Sequence, residues 1–242
     1  MRIKATKVLL GKIFGYRFYL FLGDTLVFDR YLCLLQFLPF TRKPMKLIDI
    51  GCGTGAFTLV SAARGYNSLG ISWDERNLLE AVKCAKNQNL GQSAKFEIRD
   101  IRKLAQYKKP RNKFDIFVNF ENMEHIIDDR KLTRDVYNIL KPGGMLIFSA
   151  PYYFLCPISK SDEGPFSNEE DGGHVRRGYT RTMLDELSLE VGFKIEIISG
   201  CSGFFFTKNH KNLSEAFCYP PSFGMDINTT FSGGPSFVGS AF

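Results

Sequence analysis

Histidine and tryptophan are scarce in this chain, with three His and a single Trp in 242 residues. The three His lie far apart in sequence, so metal ligation has no local support and no metal site is expected. The six Cys, at positions 33, 52, 84, 156, 201 and 218, are scattered and form no C-x-x-C pair. That spacing argues against a zinc site and a disulfide framework, and favours reduced thiols in the cytoplasm. No uncharged apolar run approaches the roughly 18 residues that a membrane-spanning helix needs. There is no G-K-[ST] triphosphate loop and no G-x-G-x-x-G dinucleotide spacing.

Basic excess is also absent from most of the chain. Residues 1–46 hold nine Lys/Arg against two Asp, whereas the rest balances at 23 of each sign. The net charge of +7 therefore lies in residues 1–46, almost all of it in an N-terminal extension, residues 1–45. It interleaves those charges with Phe14, Tyr16, Phe18, Tyr19, Phe21, Phe28, Tyr31, Phe37 and Phe40, and reads as two amphipathic helices over 6–22 and 25–37. One reading is a helical cap packed on the domain. A second is peripheral contact of residues 1–40 with an anionic membrane surface, aromatics inward and lysines outward. Nucleic-acid binding is the weakest of the three, since it wants the charge arranged around a reading element. Arg17 and Asp24 interrupt the apolar region as a signal peptide would not allow.

From residue 46 the pattern alternates. Strands are expected at 47–50, 67–71, 95–99, 114–120, 145–150 and 193–199, with helices over 56–64, from 74 to near 91, 128–140 and 180–191. Phe114–Phe120 is mostly apolar, as a strand covered on both faces should be. Strands that alternate with helices predict an α/β fold with a doubly wound, mostly parallel sheet over residues 46–207. Pro151–Gly178 reads as a long functional loop. Residues 208–242, rich in Ser, Gly and Pro, read as a loosely ordered tail.

The centre of the pattern is Leu47-Ile48-Asp49-Ile50-Gly51-Cys52-Gly53-Thr54-Gly55. A strand, a glycine turn and a helix N-terminus in that order form a nucleotide-sized corner. The string D-I-G-C-G-T-G resembles motif I of class I S-adenosylmethionine-dependent methyltransferases. Asn122-Met123-Glu124-His125-Ile126 is similar to that family's "LEH" segment, and Leu140-Lys141-Pro142-Gly143-Gly144 to its "LKPGG" turn. Gly173-His174-Val175-Arg176-Arg177-Gly178-Tyr179-Thr180 is similar to the "H-x-R-x-Y-T" opening of its late helix. The resemblance covers about residues 46–200.

It implies a Rossmann-like methyltransferase fold and transfer of a methyl group from S-adenosyl-L-methionine to a small-molecule or lipid-like acceptor. Gly51, Gly53 and Gly55 would admit the methionine part, with Asp49 orienting the loop and the ammonium group. Asp100 would accept from the adenine amino group and Ile101 would pack on the ring. Asn119 and Phe120 would face the sulfonium. Where the family places an acid for the ribose, this chain has Ser72. Either Ser72, Asp74 or Glu75 serves the ribose, or all three cap the following helix. Trp73 lies against the adenine face or is a core residue. His125 and His174 are the candidate bases; the alternative for His125 is support of the pocket. His174, Arg176, Arg177 and Tyr179 either line the acceptor site or brace the start of the late helix. The alternative from another class is a non-catalytic, membrane-associated module that binds the cofactor without turnover.

Overall fold

The computed structural model describes residues 25–106, 113–154, 163–200 and 236–241. Helix α1 spans Thr25–Phe37, the range of the second expected helix; the first, 6–22, lies outside the described residues. Strand β1 (Lys46–Ile50) leads through the glycine turn into α2 (Ala56–Ala63). Then come β2 (Asn67–Ser72), α3 (Glu75–Asn87), β3 (Ala94–Ile98) and β4 (Phe114–Phe120). Helix α4 (Asp129–Ile139) runs directly into β5 (Leu140–Ala150), and α5 (Arg181–Val191) precedes β6 (Lys194–Gly200). A last strand, β7, spans Ser236–Ala241.

The sheet order is β3-β2-β1-β4-β5-β7-β6, and all six pairings are parallel. The chain thus departs from β1 toward one edge and then crosses to the other. That reversal leaves a crevice at the carboxyl ends of β1 and β4.

Strand alternation divides the core into two layers. Leu47, Ile116, Val118 and Phe120 pack with Phe57 and Val60 of α2 and with Tyr31 and Leu34 of α1. Ile48, Ile50, Phe117 and Phe148 pack with Leu132 and Val136 of α4 and Leu184 and Leu187 of α5. Tyr31, Leu34 and Leu38 are thus buried in the domain's own core. Each such side chain contributes about 1.5–3 kcal/mol.

The helix stops follow local chemistry. Thr180 accepts from the Met183 N–H at the start of α5, and Gly192 ends it with φ 96°. Two expectations need correcting. Lys141–Gly144 is not a turn before β5 but a bulge within it, because the pairing steps from Phe114–Leu140 to Ile116–Met145. The segment 208–242 is not all loose tail: Ser236–Ala241 inserts between β5 and β6 and pairs with both. Residues 201–235 lie outside the described residues.

Candidate active site

The glycine turn sits where β1 ends. Gly51, Gly53 and Gly55 all take positive φ, at 63°, 51° and 81°, a region that side chains disfavour. They need it for different reasons. A Cβ on Gly51 would fall 1.9 Å from Asn122 Oδ1, and one on Gly55 would meet the Phe96 ring at 2.7 Å. A Cβ on Gly53 would meet nothing within 4 Å, so the middle of the loop is open to a ligand. An open, glycine-lined loop of this kind fits the methionine part of the cofactor that the motif implies.

Asp49 is buried beneath the loop and accepts from Thr58 Oγ1 of α2 at 2.7 Å. Burial pushes its carboxyl up to about 7, against the opposing pull of the Thr58 donors. Burial, reinforced by Asp49, also pushes the neighbouring Cys52 thiol up, so it stays protonated and inert.

At the end of β2, Asp74 is the N-cap of α3, accepting from the Arg76 and Asn77 N–H groups. Ser72 Oγ accepts the Asp74 N–H at 3.2 Å, and Glu75 occupies the first helical turn. Capping therefore engages Ser72 and Asp74. Trp73 is 73% exposed, which removes the core reading and leaves its ring facing outward at the ligand end of the sheet.

Asp100 is gripped by Arg102 through contacts of 2.8 Å to each oxygen, which holds its carboxyl below the usual range. Arg102 also reaches Glu170 of the late loop at 3.1 Å. Ile101 is half-buried against the layer beneath α4. Asn119 lines a small cavity with Met123, Thr133 and Leu187 on the α4–α5 side, its Oδ1 buried without a partner. Phe120 points to the other layer, edge-on to Phe57 at 4.8 Å. Both side chains thus serve the core and leave only backbone at the strand end.

Beyond β4 the chain turns through Asn122–His125. Asn122 Nδ2 donates to Ile50 O and Phe120 O, each at 2.9 Å, and so joins this turn to the glycine loop. Glu121 takes a strained φ of 53° and pairs with Arg30 of α1 at 3.1 Å, while Ser149 Oγ donates to it at 2.9 Å. Burial raises its pKa against the pull of Arg30. Glu124 is buried more completely, and burial followed by repulsion from Glu121 holds its carboxyl well above the usual range.

The late loop is stitched to this turn. The Val175 N–H donates to Glu124 O at 2.8 Å, His125 Nδ1 meets Gly173 O at 3.0 Å, and the Ile127 N–H donates to Glu170 Oε1 at 2.6 Å. His125 and His174 are brought edge to face, ring centroids 4.8 Å apart. Expecting no metal rested on their separation in sequence, and the fold removes that separation. Arg176 donates to Ile126 O and Ile127 O and pairs with Asp129, which also accepts from Tyr179 Oη at 2.8 Å. Arg176 and Tyr179 are thus braces. Arg177 lies over the Tyr153 ring, among the exposed Tyr152, Tyr153 and Phe154.

Sequence reasoning did not single out Arg30, Glu121 or Asn122. The only local signal was two acids three residues apart directly after a strand.

Residues 41–175 match the model of a methyltransferase-domain family. The ubiquinone biosynthesis O-methyltransferase of Pseudomonas putida (strain W619) is 32% identical over 175 residues, covering 70% of this chain and 73% of that one. Among solved structures, an S-adenosylmethionine-dependent methyltransferase from Mesorhizobium loti aligns with a TM-score of 0.54 at 22% identity, covering 70% of this chain and 83% of that one. The Haemonchus contortus phosphoethanolamine N-methyltransferase 2 complexed with S-adenosyl-L-methionine gives 0.55 at 20% identity, over 69% of this chain and 37% of that one. The family match, the glycine cradle at the sheet crossover and the identity with a curated relative agree: this chain belongs to the class I S-adenosylmethionine-dependent methyltransferases.

Proposed function

We propose that the chain methylates a hydroxyl group on an apolar small-molecule or lipid-like acceptor. The observation that carries this is the His125–His174 pair, joined through the Asn122 turn to the glycine cradle. S-adenosylmethionine supplies an electrophilic methyl group on a sulfonium. The chain's own residues would align the partners and deal with the acceptor's proton. A hydroxyl must lose a proton as its oxygen takes the methyl, and the paired imidazoles of His125 and His174 would serve that loss. Gly51, Gly53 and Gly55 would admit the methionine part, Asp49 would face its ammonium group through the loop, and Asp100 with Trp73 would bound the adenine.

Support for the acceptor class comes from two sides. Ile127, Tyr152, Tyr153 and Phe154 expose apolar surface on segments that follow β4 and β5 or touch the late loop. The Pseudomonas relative is named as an O-methyltransferase of ubiquinone biosynthesis. Peripheral membrane contact would then bring a lipid-like acceptor to residues 1–40. Among the described residues no helix is long and apolar enough to cross a membrane.

The test is transfer of labelled methyl from S-adenosylmethionine into fractionated extracts, followed by analysis of the product bond. The expected product is an ether. An N- or C-methyl product overturns the hydroxyl reading, and loss of label uptake in Gly53→Asp ties the transfer to the cradle.

A further inference from the structure

Glu124, His125 and His174 each present one ligand atom, and these atoms all lie within 4.8 Å of one another. Glu124 is 1% exposed, yet its Oε2 has no hydrogen-bond partner. A buried carboxyl oxygen without a partner is an unsatisfied polar atom that a bound cation would satisfy. His125 Nδ1 faces Gly173 O, so Nδ1 carries the hydrogen and the lone pair lies on Nε2. That Nε2 is the atom turned toward Glu124, 3.9 Å from Oε1. A carbonyl behind one ring nitrogen is how metal-binding imidazoles are oriented. The Val175–Glu124 backbone bond and the His125–Gly173 contact hold the chain on either side of His174 against this turn.

We propose that Glu124, His125 and His174 bind one divalent ion of the zinc type, whose open coordination position takes the acceptor's hydroxyl oxygen. The second clause rests on the hydroxyl reading above; the first does not. Two imidazoles and one carboxylate suit such an ion better than magnesium or calcium, which prefer oxygen shells. Three protein ligands leave a tetrahedral ion one open position. Bonds of about 2.0–2.1 Å separate tetrahedral ligand atoms by roughly 3.4 Å, so atoms now up to 4.8 Å apart must close by as much as about 1.4 Å. Both imidazoles are only half-buried, and side-chain rotation supplies that movement.

The site explains why an imidazole pair stands beside the cradle with its acid. On the ion the acceptor's O–H loses its proton to solvent at neutral pH. The oxygen then forms a bond to the methyl carbon while the carbon–sulfur bond breaks, its electron pair staying on sulfur. Here the two histidines act as ligands, and a free imidazole base is not needed.

The full chain, stripped with chelator and dialysed, is titrated with Zn²⁺ and with Co²⁺ in the absence of acceptor. One equivalent is expected, with visible Co²⁺ absorption bands, and binding at least about tenfold weaker in Glu124→Gln and in His174→Ala. Glu124→Gln keeps the side-chain shape and His174 is half-exposed, so melting curves show that both variants fold. Failure to bind stoichiometrically, or binding unchanged in both variants, overturns the site. An ether product from protein that shows no Co²⁺ bands also overturns the site while the hydroxyl reading stands. An N- or C-methyl product from metal-loaded protein overturns the hydroxyl reading while the site stands.

Discussion

Asn122 Oδ1 lies 1.9 Å from where a Cβ on Gly51 would have to be. The carboxamide fills that space because its Nδ2 bonds both Ile50 O and Phe120 O. The two strand ends that frame the cofactor corner are therefore fastened by one side chain, and a glycine is what lets it in. Gly51→Ala should displace Asn122 and strain a φ of 63°, lowering stability by about 1–3 kcal/mol. Chemical denaturation would read the loss, and calorimetry should show weaker cofactor binding. Asn122→Gly in the Gly51→Ala background should recover packing but not the strain.

Asp49 sets a pH dependence. Its carboxyl stands at about 7 in the folded, ligand-free protein, against 3.8 for the unfolded chain. Between those values the folded state holds the extra proton, so stability falls as pH rises from about 4 through about 7 and then levels off. Asp49→Asn should flatten that part of the melting-temperature profile. A cation above the loop favours ionised Asp49, so cofactor affinity should rise with pH up to about 7 in the native chain and not in the variant.

Arg30 and Glu121 tie α1 to the end of β4. Both side chains are largely buried, and removing one charge strands the other. Arg30→Ala should cost about 3 kcal/mol in the denaturant midpoint, with Glu121→Gln in the same chain restoring much of it. Additive losses in the double variant would show that the two do not act as a pair.

Trp73 supplies its own reporter. As the sole tryptophan, and 73% exposed, it should emit as a solvated indole in the free protein. Cofactor stacking on the ring should shift the emission to the blue and change its intensity. An unaltered spectrum at saturating S-adenosylmethionine would remove Trp73 from the adenine site.

Tyr179 and Arg176 brace the late loop through Asp129. Tyr179→Phe removes a buried hydrogen bond to a charged acceptor, worth about 1.5–3 kcal/mol. Amide exchange should speed up across residues 173–179 in that variant, and Arg176→Lys should do the same because a compact ammonium lacks the planar fork whose two ends reach Asp129 and the Ile126 and Ile127 carbonyls.

What the sequence determined by itself was local. Spacing of apolar residues, Thr180, Gly192 and the glycine string mark elements whose bonds close within a few residues, so their signals lie side by side in the chain. The strand Ser236–Ala241 had no such signal, because its Ser- and Gly-rich sequence is held as a strand by β5 and β6 on either side. The directions of Asn119 and Phe120 were equally hidden, since the strand's pairing and the helices on each face decide which side a residue serves. The histidines are the sharpest case. His125 and His174 stand 49 positions apart, and only the return of the late loop onto the Asn122 turn brings them to 4.8 Å beside a buried acid. Motif spacing determined the methyl donor, whereas the histidines proposed to face the acceptor come from distant segments and were brought together by the tertiary structure.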